Sequence, residues 1–299
     1  MSLKFQQYID LPRHENGGFD HADVHEASGK IFVAHTALGQ VDILDGPQGS
    51  YLGSVPNCPE ASGVLYAQEA GLMFAAARST GEILLLAVPS GELKRTVVVG
   101  IAPNGLAWDG GRQQLLVADV KDNQARLTRP QEGELLAIVA LPGRPRWCLY
   151  DQPRDRFWVN ISDPALVVGL VGDTAELVTT IAVGYKGPHG MAIDEATGQL
   201  LVACDSGDLV AFDPDSGRQI AHVKIAGTPD VIWYNSNHHY LYIAIGKPGV
   251  VQVVAVSSME IVEEISTEEG AHTLTFDQAR QKLYVFLPQS CRTAVYSEI

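Results

Sequence analysis

Residues 104–119 read NGLAWDGGRQQLLVAD: an apolar run, a turn built on Asp and Gly, and a second run of aliphatic residues. The pattern returns as HGMAIDEATGQLLVACD from His189 and HTLTFDQARQKLYVF from His272. Weaker copies are HADVHEASGKIFVAH from His21, SGVLYAQEAGLMFAAAR from Ser62, RWCLYDQPRDRFWVN from Arg146 and DVIWYNSNHHYLYIAI from Asp230. Their first residues stand at 21, 62, 104, 146, 189, 230 and 272, a spacing that stays between 41 and 43 residues.

Short β runs recurring at about 40–45 residues, with Gly, Asp, Asn and Pro at the breaks, mark four-stranded blades stacked around an axis. The third copy parses into strand a at 105–108, b at 114–118, c at 125–128 and d at 134–141, joined by DGGR, DVKDNQ and PQEG, which suit tight turns. Strand a is apolar on both faces in most copies, as a strand must be where sheets pack on both sides. The predicted fold is therefore all-β: one seven-bladed β-propeller domain over residues 1–299. The last copy supplies only three strands, the third at 293–298, while KFQQYIDL at 4–11 resembles outer strands such as ELLAIVAL from Glu134. It is expected to complete the last blade and to remove an open sheet edge.

Composition narrows the function. The chain has 299 residues, 46% hydrophobic and 19% charged, with a formal net charge of −14. That charge, with basic residues dispersed, argues against nucleic acid and anionic membrane as partners. No apolar run approaches the roughly 20 residues of a membrane helix, and MSLKFQQYIDLP lacks a signal-type apolar core, so a cytoplasmic location is expected. Cys58, Cys148, Cys204 and Cys291 form no CxxC pair and read as ordinary reduced thiols. No phosphate-cradling loop, nucleophile elbow or HExxH occurs, which argues against nucleotide-dependent, serine-hydrolase and zincin chemistry.

The phrases GKIFVAHTALGQVDILD, RQQLLVAD and HHYLYIAI resemble the YVTN/YncE-like family of β-propellers over essentially the whole length. APNGLAWD and GPHGMAID also resemble loops that build metal sites in gluconolactonase-type propellers and in streptogramin B lyase. Two departures stand beside that second likeness: the lyase's Glu-x-His pattern is absent before His272, where Glu269-Gly-Ala-His272 stands, and the gluconolactonase group has six blades.

In a propeller the innermost strand of every blade starts at one mouth of the central channel, so the first residue of each copy is delivered to a common ring. In blade order that ring reads His21, Ser62, Asn104, Arg146, His189, Asp230, His272. His189, Asp230, His272 and His21 fall on four consecutive blades and are candidate ligands for a divalent ion such as Zn, Fe, Mn or Ni. Arg146 and Asn104 face them as candidate substrate anchors, and His21 is also a candidate catalytic group. An outer tier from the loops between strands b and c comprises His35, Arg78, Asp119, Lys121, Asn160, Asp205, Lys247 and Gln289. Asp23 and His25 interrupt an otherwise apolar strand, and RHENGGFD at 13–20 is a longer link that carries His14 and Glu15 to the same mouth. His238-His239 falls in a turn at the opposite mouth, and Trp108, Trp147, Trp158 and Trp233 are expected to pack between blades.

Two functional expectations follow. One is a metal-dependent hydrolase or lyase acting on a small anionic or carbonyl, lactone-type molecule at the ring; ring opening is what the lactonase and lyase likeness implies. The alternative is a non-catalytic propeller that binds a ligand or a protein partner, since one fold serves many tasks.

Overall fold

The computed structural model describes residues 2–299 and contains seven four-stranded antiparallel sheets arranged as a β-propeller. In the third blade the strands run Pro103–Asp109, Gln114–Asp119, Gln124–Arg129 and Glu134–Ala140, within two residues of the predicted bounds. Strands b and c carry the core, whereas outer strands such as Glu92–Val98 are exposed along most of their length.

Seven hydrophobic clusters fill the seven contacts between neighbouring blades. Phe32, Val41, Val64 and Met73 join blades 1 and 2, and Val24, Leu44, Tyr284 and Phe286 join blade 7 back to blade 1. Because apolar burial is the main favourable term in folding, each blade is held chiefly by its neighbours and the ring must close to be stable.

Closure comes from the N-terminal strand. Leu3–Asp10 pairs antiparallel with Arg292–Glu298, from Leu3↔Glu298 to Asp10↔Arg292, and completes the blade built from Thr273–Asp277 and Lys282–Leu287. Ile9 and Leu11 enter the cluster between blades 7 and 1.

The inner strands approach closely at the mouth. A Cβ placed on Gly63 would lie 2.1 Å from the Asn104 carbonyl oxygen, and one on Gly190 would lie 2.3 Å from that of Asp230. Glycine after the ring residue thus lets the next blade's ring residue press in. At the far mouth, Asp109, Asp194 and Asp277 close the turns between strands a and b by accepting backbone N–H groups at 2.9–3.1 Å, the Asx arrangement that makes Asp the recurrent residue there.

Candidate functional site

Strand register decides which residues form the ring. In blades 2 to 7 the third residue of each copy pairs with the middle of strand b: Val64↔Ala75, Leu106↔Val117, Cys148↔Val159, Met191↔Val202, Ile232↔Ile243 and Leu274↔Val285. In blade 1 the second residue does so, Ala22↔Val33, and His25↔Lys30 brackets the turn as Asp109↔Gln114 does. The first copy is therefore offset by one. Asp20 holds the ring position, His21 lies one step farther along the strand, and the ring reads Asp20, Ser62, Asn104, Arg146, His189, Asp230, His272. The placement of His21 in the ring is corrected accordingly. His25, in turn, occupies the Asp position of the turn and bonds Ser28 Oγ at 2.6 Å.

His21 shares its strand position with Trp147 of blade 4, across the axis, and the two rings meet at 4.4 Å between centroids. Burial lowers the His21 pKa, partly offset by Asp20 and Asp230. Its Nε2 stands 3.3 Å from Asp20 Oδ1.

Two networks divide the ring. In the first, Arg78 donates to Asp20 Oδ2 at 2.7 Å and to Asn104 Oδ1. Ser62 is buried and donates to the Pro103 carbonyl, a packing role. In the second, His189 is held by two carboxylates: Nδ1 lies 2.9 Å from Asp205 Oδ1, and Nε2 lies 3.0 Å from Asp230 Oδ1. Asn160 fixes the strand beneath by donating to the His189 carbonyl at 2.8 Å. His272 Nε2 is 3.9 Å from Asp230 Oδ2, at the edge of a groove of about 350 Å³ that Lys247 and Glu269 also line.

Burial alone would lower the His189 pKa, but the Asp230 charge and the hydrogen bonds that His189 donates to Asp205 and Asp230 outweigh it and raise the pKa to about 9. Burial would likewise raise Asp230; the charge and hydrogen bond of His189, with smaller help from His272 and His21, hold it well below the usual carboxylate range. The pair is an imidazolium and a carboxylate. Its contribution to stability is complete below the ordinary histidine value of 6.5 and is lost as pH rises through about 9; on the acid side it is present above 3.8 and lost as Asp230 protonates. The His189 ring is expected to titrate near pH 9 by NMR, and to move down by at least one unit in Asp205→Asn. A midpoint below 6.5 in the unaltered chain contradicts the pairing.

Arg146 Nη1 stands 3.0 Å from His189 Nε2, an atom already directed at Asp230. With His189 charged, that contact sets cation against cation. The nearest carboxylate oxygen to Arg146 is Asp205 Oδ2 at 3.8 Å, and Arg146 Nε is buried without an acceptor. Arg78 Nε is unpartnered in the same way, and burial together with the charges of Arg146 and Arg78 lowers the pKa of neighbouring Arg144.

The rest of the outer tier is structural or peripheral. Asp119 is buried and accepts from the Ile101, Ala102 and Lys121 amides; Lys121 shows no side-chain partner, and Gln289 donates to the Glu269 carbonyl. His35 is fully buried and bonds Asp42 and His14. That bond pins the 13–20 link, whose Glu15 faces solvent. His239 sits in its turn against Tyr234 Oη at 2.8 Å, as expected for the opposite mouth. Only Trp158 is fully buried between blades. Trp108, Trp147 and Trp233 pack against the clusters between blades, as expected, and being half-buried they also line the central channel.

As the side chains stand, no three His, Cys, Asp or Glu groups among the described residues are set around a common point as metal ligands. His189 directs both nitrogens at carboxylates, so an ion on the His189, Asp230, His272 and His21 arc would take the place of the His189 proton. Arg78, Asp205 and Asp20 complete the ring and were missed as inner members. Spacing did not distinguish Asp20 from His21, since steps of both 41 and 42 residues occur among the other copies.

No family model matches the chain, and no curated protein matches it. Among the described residues, no helix is long and apolar enough to cross a membrane.

Proposed function

We propose that the ring mouth binds a small anionic molecule on Arg146 and acts on it as a hydrolase or lyase. One observation carries this reading: Arg146 is pressed against a charged His189, with its Nε buried and no carboxylate within hydrogen-bond reach. A ligand carboxylate would supply the missing acceptors, since the guanidinium fork matches such a group with two parallel bonds. Arg78 and Asn104 are placed to hold the far end of the molecule. His189, kept protonated by Asp205 and Asp230, sets its positive charge beside Arg146 against the negative charge that develops on a carbonyl or leaving oxygen, and His272 at the groove edge is the proton acceptor. Likeness of the APNGLAWD and GPHGMAID segments to lactonase and lyase propellers supports ring opening as the reaction.

The second reading is a divalent ion on the same arc, favoured by Asp230 lying 3.0 Å from His189 and 3.9 Å from His272. Calorimetric titration with acetate, malonate and citrate in the presence of EDTA separates the two. Saturable binding that weakens at least tenfold in Arg146→Gln, with an unchanged melting curve, supports the anion site. Binding that appears only once EDTA is dialysed away and Zn²⁺ or Mn²⁺ is supplied supports the ion, and equal affinity in Arg146→Gln overturns the assignment of Arg146.

A further inference from the structure

Beneath the ring the channel widens into a cavity of about 1280 Å³, larger than the 350 Å³ groove at the ring mouth. It opens at the other mouth, because its lining includes the turns between strands a and b of blades 3, 4 and 5 around Gly110, Pro153 and Ala196. The His21–Trp147 contact is part of its lining, on the side toward the ring.

The wall is aromatic and the charge is of one sign. Trp108, Trp147, Trp233, Tyr66 and Tyr150 line the cavity, each half-buried and therefore presenting ring surface to it. The lining carboxylates are Asp23, Glu69, Asp109, Asp151, Glu195 and Asp215. The one lining Lys or Arg is Arg154, already bonded to Asp151 at 3.1 Å and to Asp215 at 2.9 Å. Asp109 and Asp151 are spent on their turns. Asp23 stands inside, at a strand position where Leu65, Ala107, Leu149, Ala192, Trp233 and Thr275 occupy the other blades. Its oxygens accept only the Val24 and Tyr66 amides, each at 2.7 Å.

We propose that this cavity binds an organic cation with an apolar body, a quaternary ammonium or protonated arylalkylamine, which enters at the mouth opposite the ring. A cation is attracted to indole and phenol faces, more strongly as water is excluded, and Asp23 supplies the counter-charge at depth. Burial holds the Asp23 carboxyl up at about 7, so an unoccupied cavity avoids a bare charge and an arriving cation draws the ionised form. An anion meets Asp23, Glu69 and Glu195 with no free basic partner among the lining residues, and a neutral ligand gains no ion pair with Asp23.

The test compares benzyltrimethylammonium with its neutral carbon isostere, neopentylbenzene, by tryptophan fluorescence and by NMR of indole N–H signals. The cation is expected to bind saturably and at least tenfold more tightly than the isostere, with shifts at Trp108, Trp147 and Trp233. Trp233→Leu should weaken it at least tenfold; Glu195→Gln, which leaves the packing intact, should weaken it two- to fivefold and keeps the test open if the tryptophan variant misfolds. Equal binding of cation and isostere overturns the proposal, as does the absence of saturable binding to 10 mM or shifts confined to the ring histidines. Anion binding at Arg146 is measured separately, so either site can fail alone.

Discussion

Deleting residues 2–11 is expected to leave a chain that aggregates or melts at least 10 °C below the full-length protein. The segment contributes two buried side chains to the contact between blades 7 and 1, Ile9 and Leu11, worth about 1.5–3 kcal/mol each. Its ladder with Arg292–Glu298 adds several hydrogen bonds at about 1 kcal/mol net apiece. Together these approach the whole stability of a typical domain, about 5–15 kcal/mol, and the deletion also bares the Arg292–Glu298 edge to intermolecular pairing. Thermal melting with light scattering reads both effects. A rescue separates closure from mere loss of residues: Ser2 and Ile299 exchange backbone hydrogen bonds at 3.1 and 3.0 Å, so Ile299 can be joined to Ser2 through a two-residue Asn-Gly turn in a chain that starts at Pro12. This permutant is expected to melt within about 5 °C of the original. A deleted chain that remains monomeric with an unchanged melting temperature shows that the ring does not need its closing strand.

The fold was legible because a propeller writes its period into the chain: each blade needs the same alternation of buried strand and tight turn, and the closing strand resembles the outer strands it replaces. The ring was legible for six blades for the same reason. Blade 1 misled because its first polar residue before the apolar run is doubled, Asp20-His21, and histidine drew the reading by one residue; spacing allowed either, and strand register was needed to decide. Arg78 and Asp205 reach the ring on side chains from loops, and the length of an arginine or the turn of a loop leaves no periodic trace. The tryptophans share one kind of apolar run, but Trp158 stands on strand b between blades while the other three stand on strand a beside the axis. Which faces the channel depends on the strand's place in the blade, not on hydrophobicity.

The second large effect is expected at a site that sequence did not connect. Asp42 is fully buried and accepts three hydrogen bonds, from His35 Nδ1 at 2.6 Å, Gln40 Nε2 at 2.7 Å and Ser54 Oγ at 2.6 Å. His35, also fully buried, turns its other nitrogen to His14 Nδ1 at 2.7 Å. With Asp42 accepting from Nδ1, a neutral His35 offers Nε2 as an acceptor, and His14 must donate. One carboxylate thus sets the tautomer of two histidines and ties the 13–20 link to strands b and c of blade 1. Asp42→Ala removes a charged acceptor of three hydrogen bonds and leaves the buried His35 Nδ1–H without a partner, while half-buried Gln40 and Ser54 keep the bond between them at 2.8 Å; the loss is expected to cost about 3–5 kcal/mol in urea unfolding. Ser54→Ala removes one donor and leaves the others satisfied, and should cost about 1 kcal/mol. The same substitution at Asp42 should raise amide exchange through residues 13–20, because His14 loses the partner that holds it; exchange unchanged there would assign the anchoring to His14's contacts with Cys291 and Phe19 instead. The order of effects, Asp42 far above Ser54, follows from burial: a lost surface bond returns its partner to water, whereas here the carboxylate is the only acceptor that the buried His35 Nδ1–H has.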